Sequence, residues 1–190
     1  MKKILILLIS LVVITGCSSG KPSSTPSTTS SSDLSLPTLK ADMSGYTLLS
    51  DEDHVFVSTT MKEAITIFKK SSKAVVYMGY VGCPFCQSAV PIINEIAKAN
   101  DAVVYYVDTQ NEANTEDDFN NLKELLKDHL ATDQNGNPTL YVPQLTFIKD
   151  KEIIKNHIGV APSAETYEMS DEQKDELRVI YQEMFDALNK

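Results

Sequence analysis

The sequence predicts an α/β fold, a central mixed β-sheet flanked by helices on both sides, and three observations carry that expectation. Apolar, β-rich runs alternate with helical patterns along the chain instead of clustering in one half. One of them, Ala74-Val75-Val76-Tyr77-Met78, is apolar without alternation, as a central strand covered on both faces must be. The last two, Leu145–Ile148 and Ile153–Ile158, flank the short turn Lys149-Asp150-Lys151 and read as an antiparallel hairpin.

Before this alternation begins, the chain carries two segments of another kind. Lys2 and Lys3 precede a nearly unbroken apolar run from Ile4 to Ile14, then Thr15 and Gly16. A run that short is the core of a signal peptide and not a membrane span. Ile14-Thr15-Gly16-Cys17 resembles the lipobox of bacterial lipoproteins. The resemblance implies that Cys17 is diacylated and becomes the first residue of the mature chain, on the extracytoplasmic face of the cell membrane. Two acyl chains anchor firmly where one does not. From Ser18 to Ser32 every residue except Lys21 is Ser, Thr, Pro or Gly. Such a segment has nothing to bury and is expected to be a disordered tether, spanning on the order of 25–30 Å if it reaches Lys40. The expected organisation is therefore a signal peptide over 1–16, the lipidated Cys17 and its linker over 17–45, and one folded domain over 46–190.

Within that domain, His54-Val55-Phe56-Val57 has the composition of a short strand. Thr60 with Glu63 forms a capping box, and Ala64, Ile65 and Phe68 recur at helical spacing, predicting a helix over Thr60–Ser71. After the central strand, a helix running to about Lys98 buries Val90, Ile93, Ile96 and Ala97, with Pro91 expected to kink it. Ala102–Val107 is the next strand. Phe119, Leu122, Leu125, Leu126 and Leu130 mark a further helix, with Asp117 and Asp118 near its positive end. Asp133–Pro138 is a loop, the hairpin follows, and Ser170 with Gln173 caps a last helix carrying Leu177, Ile180, Tyr181, Met184, Phe185 and Leu188 on one face.

Composition limits the functional classes. Lys and Arg number 17 against 26 Asp and Glu, a formal charge of −9, which disfavours nucleic acid as a partner. It also disfavours attachment through anionic lipid head groups, so the membrane contact is expected to rest on the lipid anchor. Of the 3 cysteines, a lipidated Cys17 leaves the pair in Cys83-Pro84-Phe85-Cys86. This motif stands between the central strand and its following helix. With Cys83 as N-cap, Pro84 falls at N1, where its fixed φ suits a helix start. The N–H groups of Phe85 and Cys86 then point at the Cys83 sulfur, and with the helix dipole they stabilise negative charge there. Cys86 lies one turn below, within closing distance for a redox-active Cys83–Cys86 disulfide. A structural disulfide is the plainer reading of the same pair, and half a zinc site another. His54, His129 and His157 show no ligand spacing to complete four ligands, so no metal and no other cofactor is expected. Tyr77, Tyr80, Tyr105 and Tyr106 are expected in the core or the wall of the site.

The element order with a CxxC opening the helix after the second strand resembles the thioredoxin fold over about His54 to Lys190. Pro91, eight residues after Cys83, Val142-Pro143 just ahead of the hairpin, and Gly159 after its last strand all match the family pattern. The resemblance implies that Val142–Pro143 is a cis peptide packed against the dithiol. It further implies that Val142 pairs with substrate backbone as an added strand. Cys83 is then the nucleophile and Cys86 the resolving thiol, with Pro84 and Phe85 contacting substrate. Two departures stand out. Tyr77 occupies the place, six residues before Cys83, of the family's buried acid, and the passage Gln110–Thr139 is longer than in thioredoxin. With the lipobox, the pattern is similar to the thioredoxin-like lipoproteins of Gram-positive bacteria grouped as bacteriocin transport accessory proteins. Cys-Pro-aromatic-Cys also resembles glutaredoxins, but no acidic glutathione-binding signature follows Gly159. The expected function is a membrane-anchored, extracytoplasmic thiol–disulfide oxidoreductase, acting as a monomer on protein or peptide thiols with a membrane redox partner. The alternative is a non-catalytic accessory or scaffold for bacteriocin or protein export.

Overall fold

The computed structural model describes residues 35–190. The expected signal peptide, Cys17 and most of the expected tether lie outside the described residues. Five strands form one mixed sheet in the order β1-β3-β2-β6-β7, where β1 is Phe56–Ser58, β2 Lys73–Gly79, β3 Val104–Asp108, β6 Gln144–Lys149 and β7 Glu152–Ile158. β1, β3 and β2 are parallel; β6 is antiparallel to β2, and β7 to β6. This is the α/β architecture that the element order predicts, a central mixed sheet flanked by helices.

Strand alternation sorts the side chains into two cores. Val75 and Tyr77 of β2, Val104 and Tyr106 of β3, and Leu145 and Phe147 of β6 face α2 (Pro84–Ala99) and α4 (Asp171–Asn189). Val76 and Met78, Tyr105 and Val107, and Ile148 face the opposite way, onto α1 (Met61–Lys70) and α3 (Glu116–Leu126). β2 is therefore covered on both faces, which explains its lack of polar alternation. Both expected capping boxes form, Thr60 with Glu63 and Ser170 with Gln173. A third, Thr115 with Asp118, opens α3, so Asp118 is a capping carboxylate as well as a charge near the dipole. α2 runs unbroken through Pro91.

Packed structure begins before Tyr46, the boundary that composition suggests. Ala41 and Met43 are buried, and Leu36 packs against the α1/α3 core. Ala41 N–H donates to Phe56 O at 3.0 Å and Ser58 N–H to Leu39 O at 2.8 Å, so residues expected in the linker line the open edge of β1. The sequence hides this because edge pairing uses the backbone, which any side chain leaves available. The loop Asp133–Pro138 is also more ordered than expected. It connects β4 (Ala131–Thr132) to β5 (Pro138–Thr139), a small antiparallel pair. The Asp133 carboxylate accepts the backbone N–H of Asn135 and of Asn137, each at 2.8 Å, which folds the turn back on itself.

Candidate active site

The site is built from the bottom of the helix upward. Cys83 is the N-cap of α2 in extended conformation, and Pro84 takes N1. The Cys86 N–H donates to Cys83 Sγ at 3.1 Å, so the first sulfur accepts one of the donors a helix start leaves over. Both cysteines are free thiols, with Cys83 4% exposed and Cys86 0% exposed. Phe85 lies outward at 37% exposure and meets Tyr167 edge to face, with ring centroids 6.0 Å apart.

The second wall comes from far along the chain. Because β6 is antiparallel to β2, its first residue, Gln144, pairs with Met78 near the end of β2 that leads into the dithiol. The residues just before it, Val142 and Pro143, are thereby set beside Cys83. The Val142–Pro143 peptide is cis. Val142 O stands 3.9 Å from Cys83 Sγ, within reach of a thiol donor. Gly159, at φ 88°, a region closed to most side chains, turns the chain at the end of β7 so that its N–H donates to Pro143 O at 2.8 Å.

Behind Cys86 lies a buried group of phenols. Tyr46 Oη donates to Tyr106 Oη at 3.1 Å, and the Tyr77 and Tyr106 rings stack with centroids 5.6 Å apart. Tyr77 is fully buried, and no hydrogen-bond partner of good geometry reaches its hydroxyl. That hydroxyl shares a pocket with Cys86 Sγ over Gly79. A Cβ added at Gly79 would collide with Tyr77 Oη and sit 2.7 Å from Tyr77 Cζ and 3.2 Å from Cys86 Sγ. Burial, and then the neighbouring Cys83, pushes the Cys86 thiol up to about 12, with the Tyr80 backbone and the Tyr77 hydroxyl opposing. Burial likewise drives Tyr77 well above its ordinary range, with Cys86 the next cause. Tyr105 lies on the opposite face of β3 and belongs to the other core.

Two polar side chains hold α2 in place, and sequence reasoning passed over both. Gln87 Nε2 donates to Gly45 O at 3.0 Å and to Val81 O at 2.7 Å, tying the loop before Cys83 to the N-terminal segment. The buried Asn94 accepts from Val55 N–H and donates to Asp51 Oδ2, each at 3.0 Å. The signal for both was a polar residue interrupting the apolar face of α2. His157 Nε2 bonds Val160 O at 3.0 Å and its ring meets Tyr181 edge to face. Burial lowers its pKa. Among the described residues no three His, Cys, Asp or Glu side chains converge as metal ligands, and no helix is long and apolar enough to cross a membrane.

Cys83, Cys86, Pro84, Phe85, Val142 and Pro143 thus share one place at the C-terminal end of β2, while Cys17 lies outside the described residues. Two sulfurs on one helical turn, one accepting a backbone N–H and one buried beneath it, form a geometry that can close or open a disulfide locally. No family model matches the chain, and comparison with curated proteins gives no match either. Among solved structures, the chain is similar to a thioredoxin of Plasmodium falciparum, at 13% identity over 70% of this chain and 96% of that one, with TM-score 0.40. It is also similar to oxidised thioredoxin O2 of Arabidopsis thaliana, at 22% identity over 58% and 88%, with TM-score 0.39. Oxidised mitochondrial thioredoxin 3 of Saccharomyces cerevisiae aligns at 17% identity over 60% and 87%, with TM-score 0.35.

Proposed function

We propose that this chain is a thiol–disulfide oxidoreductase acting on protein or peptide substrates through Cys83 and Cys86. The observation that carries the reading is the placement of Cys83 Sγ, 3.1 Å from the Cys86 N–H and 3.9 Å from Val142 O. In the reducing direction the Cys83 thiolate attacks one sulfur of a substrate disulfide. An S–S bond forms to Cys83, the substrate bond breaks, and the other substrate sulfur leaves as a thiolate that takes a proton. Cys86 then attacks Cys83 Sγ, releasing the second substrate thiol and leaving the Cys83–Cys86 disulfide. In the oxidising direction the same steps run in reverse, and the difference in potential between site and partner sets which prevails. Val142 offers backbone for an extended substrate segment to pair with, and Phe85 offers an exposed apolar contact.

The lipobox at Cys17 supports an address at the extracytoplasmic face of the membrane, and with it a membrane redox partner that reloads a monomeric domain. Together with the Cys-Pro-Phe-Cys motif it supports placement among the bacteriocin transport accessory lipoproteins. The low exposure of Cys83 favours a second reading, an accessory scaffold for export with an inert cysteine pair. One trapping experiment separates the two. In cells, Cys86→Ala removes the resolving thiol, and the expected outcome is a mixed disulfide through Cys83, seen on non-reducing gels and abolished by reductant. The double variant Cys83→Ala, Cys86→Ala forms none. A Cys86→Ala chain that is folded and yields no adduct rejects the oxidoreductase reading and leaves the scaffold.

A further inference from the structure

We infer that Tyr77 is a positioning residue for the resolving step, its phenol donating a hydrogen bond to the Cys86 sulfur as that sulfur becomes a thiolate. The inference rests on the oxidoreductase reading above and adds a role for a side chain that does not touch the substrate.

Three geometric facts support it. Tyr77 Oη is buried without a partner, and a buried hydroxyl left unpaired loses its solvation with nothing in return. The one hydrogen bond among the neighbouring phenols runs from Tyr46 Oη to Tyr106 Oη, and neither reaches Tyr77 Oη with hydrogen-bond geometry. The atom it shares a pocket with, over Gly79, is Cys86 Sγ. A neutral thiol is a weak acceptor, whereas a thiolate is a charged one, so the orphan donor gains its bond only when Cys86 ionises. That is the moment at which Cys86 attacks. The absence of a Cβ at Gly79 lets the two groups meet, since any side chain there would occupy the space between them and the strand.

The chemistry balances without a further reactant. Cys86 gives up its proton to solvent water, the same pool that later protonates the leaving thiolate, and its own thiolate attacks Cys83 Sγ of the mixed disulfide. A Cys83–Cys86 bond forms, the bond from Cys83 to the substrate sulfur breaks, and the departing thiolate takes up a proton. Tyr77 keeps its own proton throughout. Burial holds the phenol above its ordinary range, which makes it a donor at neutral pH and not a base. The site therefore eases ionisation of Cys86 by solvating the product and not by removing the proton.

The test uses the full reduced chain in detergent with dithiobis(nitrobenzoate) as the disulfide. Cys83 releases the first nitrothiobenzoate in a phase whose rate depends on reagent concentration. Cys86 releases the second by attacking the mixed disulfide, in a phase independent of it. Tyr77→Phe keeps the ring and its stack on Tyr106 and removes only the hydroxyl. The expected result is a first phase within twofold of wild type and a second phase slowed roughly ten- to a hundredfold near neutral pH, the range for losing a hydrogen bond to a charged group. Its pH profile is expected to move to higher pH. Tyr105→Phe removes a phenol from the opposite face of β3 and is expected to leave both phases unchanged, which controls for a general loosening of the core. Circular dichroism confirms that both variants are folded. An unchanged second phase and pH profile in folded Tyr77→Phe overturns the role of Tyr77 while leaving the oxidoreductase reading intact. Absence of the concentration-dependent phase in wild type overturns both.

Discussion

Cys86 illustrates how burial gives a single side chain a pH dependence. Its ordinary value is 9.0, and in the fold it is raised to about 12, chiefly because the thiolate would be desolvated. Below pH 9.0 the thiol is neutral in folded and unfolded chains alike, so its contribution to stability is fully present. As pH rises from there, the unfolded chain releases the proton while the folded chain retains it, and stability falls until the folded thiol ionises near 12. Buried Tyr46 and Tyr77 act in the same sense at higher pH. Denaturant titrations of the reduced protein are expected to show a loss of stability above about pH 9, and Cys86→Ala is expected to show a shallower one. Equal slopes in the two proteins would contradict this assignment. The motif around Cys86 is readable in the sequence because helix capping and Pro at N1 are local rules. Tyr77 as the neighbour of Cys86 is legible only through the resemblance, which puts it in the place of the family's buried acid; by composition alone the residue fits a covered strand equally well.

At the level of elements, the hairpin β6–β7 does more than close the sheet. On the face opposite the dithiol, Asn156 Oδ1 accepts from Gln144 Nε2 and from Thr146 Oγ1, each at 2.8 Å, and Asn156 Nδ2 donates to His129 O at 2.8 Å. Gln144 and Thr146 are fully buried, so Asn156 satisfies donors that have no route to water. It also ties the long passage after α3 to the sheet directly beneath the residue that follows Pro143. Replacing Asn156 with Ala leaves both donors and a carbonyl unpaired, and is expected to lower unfolding free energy by about 1–3 kcal/mol at unchanged m-value. A chemical denaturation midpoint equal to wild type would show that the network carries no such role. The hairpin itself is legible from its apolar runs and short turn. The polar network is not, because Gln144, Thr146 and Asn156 meet only when the register of the two strands is fixed.

The folded molecule is joined at its N-terminal segment as much as at its core. Residues 36–46 cover the edge of β1, place Tyr46 behind the dithiol, and bring Gly45 O to Gln87 at the start of α2. Surface ion pairs such as Lys98–Asp51, at 2.6 Å, add little by comparison, because exposed pairs typically contribute at most about 1 kcal/mol. A chain beginning at Ser35 is expected to unfold at the same temperature as the full chain. One beginning at Tyr46 loses the edge pairing and the buried Ala41 and Met43, and is expected to melt several degrees lower. Differential scanning calorimetry of the two truncations decides the point, and equal midpoints would mean that the segment is not part of the cooperative unit.

Taken alone, the sequence determines the features that depend on local pattern. These are the alternation of strands and helices, the caps at Thr60 and Ser170, the dithiol at a helix start, and the Ser/Thr/Pro composition that marks a segment with nothing to bury. Only the tertiary structure decides what stands next to what. Antiparallel pairing of β6 with β2 sets Val142 and Pro143 against Cys83, and strand alternation turns Tyr77 toward Cys86 and Tyr105 away. Backbone pairing alone recruits residues 39–41 to the edge of β1. The physical reason is the same in each case: periodicity and capping act within a few residues, whereas register and edge pairing are settled only when distant segments share one sheet.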